Sequence, residues 1–277
     1  MLKSMLADLT KSFMRTDCKT IVCHPSSDKK LRVSSTTEDK QLYIYAESVN
    51  TGWEYNEFAF RDWASIAAII SSFYDSSSPD SCTFKLESDE QDYPNVLKIK
   101  NGVMKMTHYL QNFTFISRQD DLLNAYKGKK FTLKPIDVNC MPEFTADTMT
   151  KISKLSALTG EKHIKVKKEG NDLYFVFGDE TKTIDNGKIL VQTNYTTPFT
   201  DKGLFFSVEY LGIAVNSLKD QNMKIKYDGG IITVCGSNDI SNKVMAIVGK
   251  KEVEFRPLQF FLQELILLNL VLLLVPL

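Results

Sequence analysis

Apolar residues in the first fifteen positions recur at three- and four-residue steps: Leu2, Met5, Leu6, Leu9 and Phe13. That spacing predicts one buried stripe on an α-helix. Lys3, Lys11 and Arg15 lie off the stripe, and Lys11 and Arg15 fall one turn apart on the same side. Alternating, strand-like runs follow. NEFAFRDWASIAAIISSFY then reads as a short strand entering a second helix, and SCTFKLES and NVLKIKNGVMKMTHYL as two hairpin-like segments. The same order returns downstream. FTADTMTKISKLSALTG reads as a helix with Met149, Ile152, Leu155 and Leu158 on its buried face and Lys151 and Lys154 on a flank. Asp147 suits the positive end of that helix, and Gly160 is placed to terminate it. HIKVKKEGNDLYFVFGDE reads as a hairpin, GLFFSVEYLGIAVNSL as a strand into a helix closed by Lys219, and MKIKYDGGIITVCG as a further hairpin. Trp63, Ile66 and Ala67 fall in the second helix where Tyr210, Ile213 and Ala214 fall in the fourth. The repeat therefore reaches the helix cores, as expected of a scaffold built by duplication.

Turn signals punctuate the strands at Asn101-Gly102, Gly170-Asn171-Asp172, Asn186-Gly187 and Asp228-Gly229-Gly230. Ser76–Pro79 and Glu87–Pro94 read as exposed loops, and the stretch from about Arg118 to Asp137, without a clear period, as a connector between the copies. At 277 residues the chain has room for two domains, each with a core of its own. Lys and Arg total 34 and so do Asp and Glu, so the formal net charge is zero. Any contact with nucleic acid must then come from local segregation of the cations rather than from bulk attraction. Asp8, on the first helix, is expected to dilute such a field.

Candidate chemistry is sparse. Five scattered cysteines, an odd number, read as reduced thiols, and the first residues read as an amphipathic helix rather than a secretory signal. A cytoplasmic setting is expected, that of a bacterial host if the chain is viral. His24, His108 and His163 have no ligand-type spacing, so no metal and no cofactor is expected. There is no Gly-rich phosphate loop and no nucleophile elbow, and the acidic pairs Asp120-Asp121 and Asp179-Glu180 read as solvated loop charge. An enzyme is not expected. The cations on the helices admit two readings, polar faces of amphipathic helices or phosphate contacts; the second draws on both copies placing them on the helix that opens the unit.

NEFAFRDWASIAAIISSF, ADTMTKISKLSALTG leading into IKVKKEGNDLYF, and GLFFSVEYLGIAVNSLKDQNMKIKYDGGIITV together resemble the DNA sliding clamps, and among them the replication clamp of T-even-type bacteriophages. The resemblance implies an α+β DNA clamp fold: two repeated domains, helices on one face of a curved antiparallel sheet, assembled into a closed ring. It implies a first clamp domain over residues 1–125, a connector over 126–139 and a second domain over 140–252. Family members of this length carry two domains per chain and close as homotrimers, whereas bacterial clamps carry three and dimerise. The ring would encircle duplex DNA without reading its sequence and tether the replicative polymerase. An ATP-dependent clamp loader would open it, and RNA polymerase accessory factors would join it in late transcription. On that reading Lys3, Lys11, Arg15, Lys151, Lys154 and Lys219 face the DNA. A non-enzymatic two-domain viral structural or interaction protein that does not bind DNA, or a membrane-anchored accessory protein, stands as the alternative.

The tail, residues 253–277, departs from the resemblance. LQFFLQELILLNLVLLLVPL is strongly apolar, yet its uninterrupted portion is short of the ~20 residues a spanning helix needs and ends at Pro276. A docking helix, a membrane anchor and an out-of-frame scar remain open for it; a membrane is not expected among the partners.

Overall fold

The structure is a computed structural model describing residues 2–13, 16–74, 81–112, 141, 143–178, 186–196, 198–227 and 229–251. The first stripe forms α1 (Leu2–Phe13), with Met5, Leu6, Leu9 and Phe13 fully buried. An antiparallel meander follows, β1 (Ile21–Pro25), β2 (Leu31–Thr36) and β3 (Leu42–Ser48); β4 (Phe58–Phe60) then returns to pair with β1. β4 runs into α2 (Trp63–Phe73), which begins where the Asp62 carboxylate accepts from the Ser65 amide. β5 (Cys82–Ser88), β6 (Pro94–Asn101), β7 (Met104–Tyr109) and the short β8 (Gln111–Asn112) finish the first half. The second half contains α3 (Ala146–Thr159), β9 (His163–Glu169), β10 (Asp172–Phe177), β11 (Gly187–Gln192), β12 (Phe205–Ser207), α4 (Val208–Leu218), β13 (Lys224–Tyr227), β14 (Ile231–Ser237) and β15 (Ser241–Val248).

The strand order repeats. β3-β2-β1-β4 in the first half has its counterpart in β11-β10-β9-β12, and β5-β6-β7 in β13-β14-β15. The halves differ in what their edges meet. β15 pairs antiparallel with β3, from Ser241 opposite Ser48 to Ile247 opposite Leu42, so one sheet runs through eight strands across both halves. The counterparts of those two strands, β7 and β11, each have a single neighbour among the described residues and keep an open edge.

Alternation along the strands turns one set of side chains toward the helices. Leu97 and Ile99 on β6, Phe175 and Phe177 on β10, and Ile232 and Val234 on β14 join the helix stripes in one apolar cluster spanning both halves. The helices touch in the order α2–α1–α4–α3 and form a row on that side.

Several expectations change. α3 buries only Met149 and Ile152; Leu155 is half-buried and Leu158 is 79% exposed, because α3 ends the row and packs among the described residues mainly on α4, β10 and β11. Asp8 is no surface charge but a buried one. Glu87 belongs to β5, opposite Val96, and Gly187 opens β11, opposite Phe177. Gly160 does end α3, in the left-handed conformation at φ 72°, and Gly170, at φ 60°, turns β9 into β10. Arg15, the Ser76–Pro79 loop, both acidic pairs, the connector and the apolar tail lie outside the described residues. No helix among the described residues is long and apolar enough to cross a membrane.

Candidate nucleic-acid interface

Those of the predicted cations that lie among the described residues sit on the row of helices. On α1, Lys11 is exposed. Lys3, near the start of the same helix, is half-buried and donates from Nζ to the Cys82 carbonyl oxygen at 3.1 Å, which holds it toward β5. Lys151 and Lys154 are exposed on α3, and Lys219 is exposed where α4 ends. Lys151 Nζ lies 2.9 Å from the Asp147 carboxylate one turn earlier, so part of its charge is answered on the helix itself. α3 brings Lys151 and Lys154 together on one element, whereas Lys11 and Lys219 stand on the two middle helices. The layer is thus sparsely basic. It suits weak, sequence-independent contact with phosphates more than tight binding.

Beside the starts of α2 and α4 the charge reverses. A recess of about 520 Å³ is lined by Asp17, Glu38, Asp39 and Asp62, with Lys19 and Tyr210. Tyr210 Oη donates to Asp39 Oδ2 at 3.0 Å and so ties α4 of the second half to the β2–β3 turn of the first. Burial alone would raise the Asp39 pKa, but hydrogen bonds from Thr37, Gln41 and Tyr210 together hold it below the ordinary value. Tyr210 moves the other way, raised by burial and then by the Asp39 carboxylate it serves. Burial also raises the Cys18 and Cys23 thiols, which keeps them protonated at neutral pH. Among the described residues no group of three or more His, Cys, Asp or Glu could hold a metal ion.

The seam between the halves is closed by a polar cluster that sequence reasoning missed. Lys243 on β15 is 0% exposed, and its Nζ lies 2.7 Å from Asp8 Oδ2 on α1. Ser241 donates to the same oxygen at 2.6 Å and Asn238 to Asp8 Oδ1 at 3.0 Å. Burial pulls the Lys243 pKa down, and the Asp8 hydrogen bond opposes that pull. The signal was present in the pattern: Lys243 falls in alternation with Ser241, Met245 and Ile247, on the face a strand buries.

No protein-family model matches the chain, and no curated protein matches its sequence. Solved structures do. A structure of A. fulgidus PCNA with the C-terminal region of FEN-1 bound is similar at TM-score 0.58 and 12% identity, over 90% of this chain and 96% of that one. Two H. pylori β clamp structures, in complex with 5-chloroisatin and with diflunisal, are similar at TM-scores of 0.58 and 0.57 and 12% identity. Each of those matches covers 89% of this chain and 64% of the other, so the chain spans less than two thirds of the β clamp's length. This chain has the DNA clamp fold. In clamp-fold terms, the eight-stranded sheet is the junction between successive repeats, and the helix row is the layer that carries Lys11, Lys151, Lys154 and Lys219.

Proposed function

We propose that this chain is a sliding clamp: a closed homotrimeric ring that encircles duplex DNA and tethers the replicative polymerase, with no catalysis of its own. The observation that carries this reading is the pair of open edges. β15 meets β3 inside the chain, while their counterparts β7 and β11 pair only with β6 and β10 among the described residues and leave their other edges open. The sheet of β7 packs under α2, at one end of the helix row, and β11 packs under α3, at the other. Joining β7 of one copy to β11 of the next repeats the internal junction head to tail, and such a contact closes into a ring where the rotation permits. Both edges expose apolar side chains for the joint to cover: Val103, 97% exposed, and Tyr109, 78%, at β7, and Leu190, 43%, on β11. Two repeats per chain, with 96% coverage of the PCNA chain against 64% of the β clamp chain, favour three copies over two.

In such a ring the helices line the hole, and Lys3, Lys11, Arg15, Lys151, Lys154 and Lys219 are the cations offered to the duplex. Their small number suits sliding, since strong phosphate binding would brake it. Linkage to DNA raises the local concentration of an attached polymerase and so lengthens each synthetic run. A closed ring also requires an opener, which assigns an ATP-dependent clamp loader as a partner. The finer reading, a T-even-type phage clamp that also serves late transcription through RNA polymerase accessory factors, rests on the sequence resemblance alone, as do the limits 1–125 and 140–252 of the two domains.

The test is topological. Loaded on nicked circular duplex, the chain should stay with the DNA through gel filtration and leave once the circle is cut. Its mass by light scattering should be that of three chains. Lys151→Glu with Lys154→Glu should lower retention without changing the mass. Equal retention on circles and linear duplex, or a monomer at every concentration, would overturn the ring.

A further inference from the structure

On the side of β5–β6–β7 turned away from the helices, the strand register sets lysine against lysine. Lys85 lies directly opposite Lys98, and Lys100 directly opposite Lys105, and all four are exposed. Like charges in directly opposed positions destabilise a sheet. Glu87 relieves the first pair, with its carboxylate 2.6 Å from Lys98 Nζ and 3.5 Å from Lys85 Nζ. Lys100 and Lys105 have Thr83 and Thr107 as their outward neighbours, and neither is an acid. The fold does not require this arrangement. The equivalent sheet β13–β14–β15 places Thr233 and Cys235 at the outward positions of its middle strand, with Val244 and Ala246 beside them. The outward lysines of β9–β10–β11 are differently placed: Lys165 Nζ sits 4.3 Å from the Phe205 ring centroid, and Lys188 Nζ sits 4.9 Å from that of Tyr174 and 2.6 Å from Glu169.

We propose that the outward face of β5–β6–β7 docks a short acid-rich peptide segment of a partner protein, whose carboxylates bridge Lys100 and Lys105 as Glu87 bridges Lys85 and Lys98. Charge complementarity selects an anion, and the carboxylate of Glu87 shows the group that fits. The dimensions select a short one. β6 is about 26 Å long at roughly 3.3 Å per residue, and the β5–β6 turn at its Glu87 end carries Asp89, Glu90 and Asp92. A long polyanion crossing the sheet would run onto those acids. Tyr109, opposite Val96, puts one exposed ring on this face, but at its Glu87 end and four residues along β7 from Lys105. Threonines and Val96 separate the lysines, so no run of rings accompanies them of the kind on which successive bases of single-stranded nucleic acid stack. Because the face lies opposite the helix row, the inference stands whether or not the chain encircles DNA.

Fluorescence anisotropy with a labelled peptide of alternating Asp and Glu tests it on the whole chain. Binding should saturate and weaken with salt, and Lys100→Glu with Lys105→Glu should weaken it by about tenfold or more, the loss expected for two charge-assisted contacts. Lys224→Glu with Lys226→Glu, on the equivalent sheet, should leave binding intact. Absence of binding overturns the proposal, as does equal weakening by both double variants. A labelled single-stranded polythymidine that binds this face more tightly than the peptide would make it a nucleic-acid surface instead. Lys100→Glu alone puts opposite charges across from each other, so the melting temperature should hold or rise. A fall would show that the lysines serve the fold and would remove the reason for a ligand.

Discussion

α1 and α3 open equivalent halves of the molecule, yet one is buried nearly all round and the other on a single narrow strip. α1 lies between α2 and α4, so besides its apolar stripe it buries Ala7, Asp8 and Thr10. α3 lies at the end of the row and buries Met149 and Ile152, with Leu158 left in solvent. Each helix carries an aspartate paired with a lysine, and the environments are opposite. Asp8 meets Lys243 from the other half in the interior; Asp147 meets Lys151 of its own helix in water. Duplication fixes the order of elements, while position in the row decides how each copy of an element is held.

The largest effect should separate these two ion pairs. Asp8→Ala leaves the Lys243 ammonium buried without its counter-ion and should cost about 3–5 kcal/mol in urea unfolding. Asp147→Ala removes an exposed pair and a favourable charge at the helix start, worth about 0.5–1 kcal/mol together. Asp8→Leu combined with Lys243→Met should recover most of the first loss, because an apolar replacement leaves no unpaired charge behind. If Asp8→Ala costs no more than Asp147→Ala, water reaches the seam and the contrast between the two helices fails.

What the sequence reveals about this contrast follows from what periodicity measures. The spacing of Leu2, Met5, Leu6, Leu9 and Phe13 predicts a buried stripe, and the stripe is buried. The same spacing predicts that Leu155 and Leu158 are core, because a period gives the direction of a face but not how many neighbours cover it. Lys243 interrupts the buried face of its strand, which marks it as paired, whereas Asp8 lies beside the apolar stripe of α1 and nothing in its spacing shows that it is buried; the partner of each lies in the other half of the chain. β15 escapes notice because its run VMAIV is apolar on both sides, which blurs the alternation that reveals a half-buried strand. The cations of the helix row are legible as residues. The open edges of β7 and β11 are not, since an edge is defined by the strand that fails to arrive.

A second comparison uses side chains without charge. Leu9→Ala, in the middle of the row, should cost about 2–5 kcal/mol through lost burial and the cavity left behind. Leu158→Ala should stay within about 0.5 kcal/mol of the parent in the isolated chain. A ring would sharpen the contrast differently: α3 would then face a neighbouring copy, and Leu158→Ala should weaken assembly, measured by light scattering across a dilution series, while leaving the unfolding of the single chain unchanged.

A helix held by little burial should lean on its ends. α3 begins with a capping box between Thr145 and Thr148 and stops at Gly160, where an added Cβ would meet no atom within 4 Å. Gly160→Ala should therefore cost only the strain of a left-handed alanine, about 1 kcal/mol, read as a lowered melting temperature with hydrogen exchange quickened in the last turn of α3. A cost well above this would mean that the α3–β9 connection packs more tightly than the described contacts show.

The smallest effect compares a histidine from each half. His108 on β7 and His163 on β9 both titrate below the ordinary 6.5, chiefly because burial disfavours the imidazolium. Their neighbours then act in opposite senses: the Asp62 carboxylate draws His108 back up, and the Lys162 ammonium pushes His163 further down. Since the unfolded chain holds these protons at higher pH than the folded one, it binds more of them as the solution is acidified through the ordinary histidine range. Stability is accordingly present above that range and is lost as pH falls through the lowered values of the folded state. Proton NMR titration can separate the two sites. Lys162→Gln should raise the His163 midpoint and leave His108 in place. Asp62→Asn should lower the His108 midpoint and leave His163 in place, while the asparagine still caps α2. A midpoint above 6.5 at either histidine, or a shift at both from one substitution, would show that the charge environments of the two halves are less independent than their separate sheets imply.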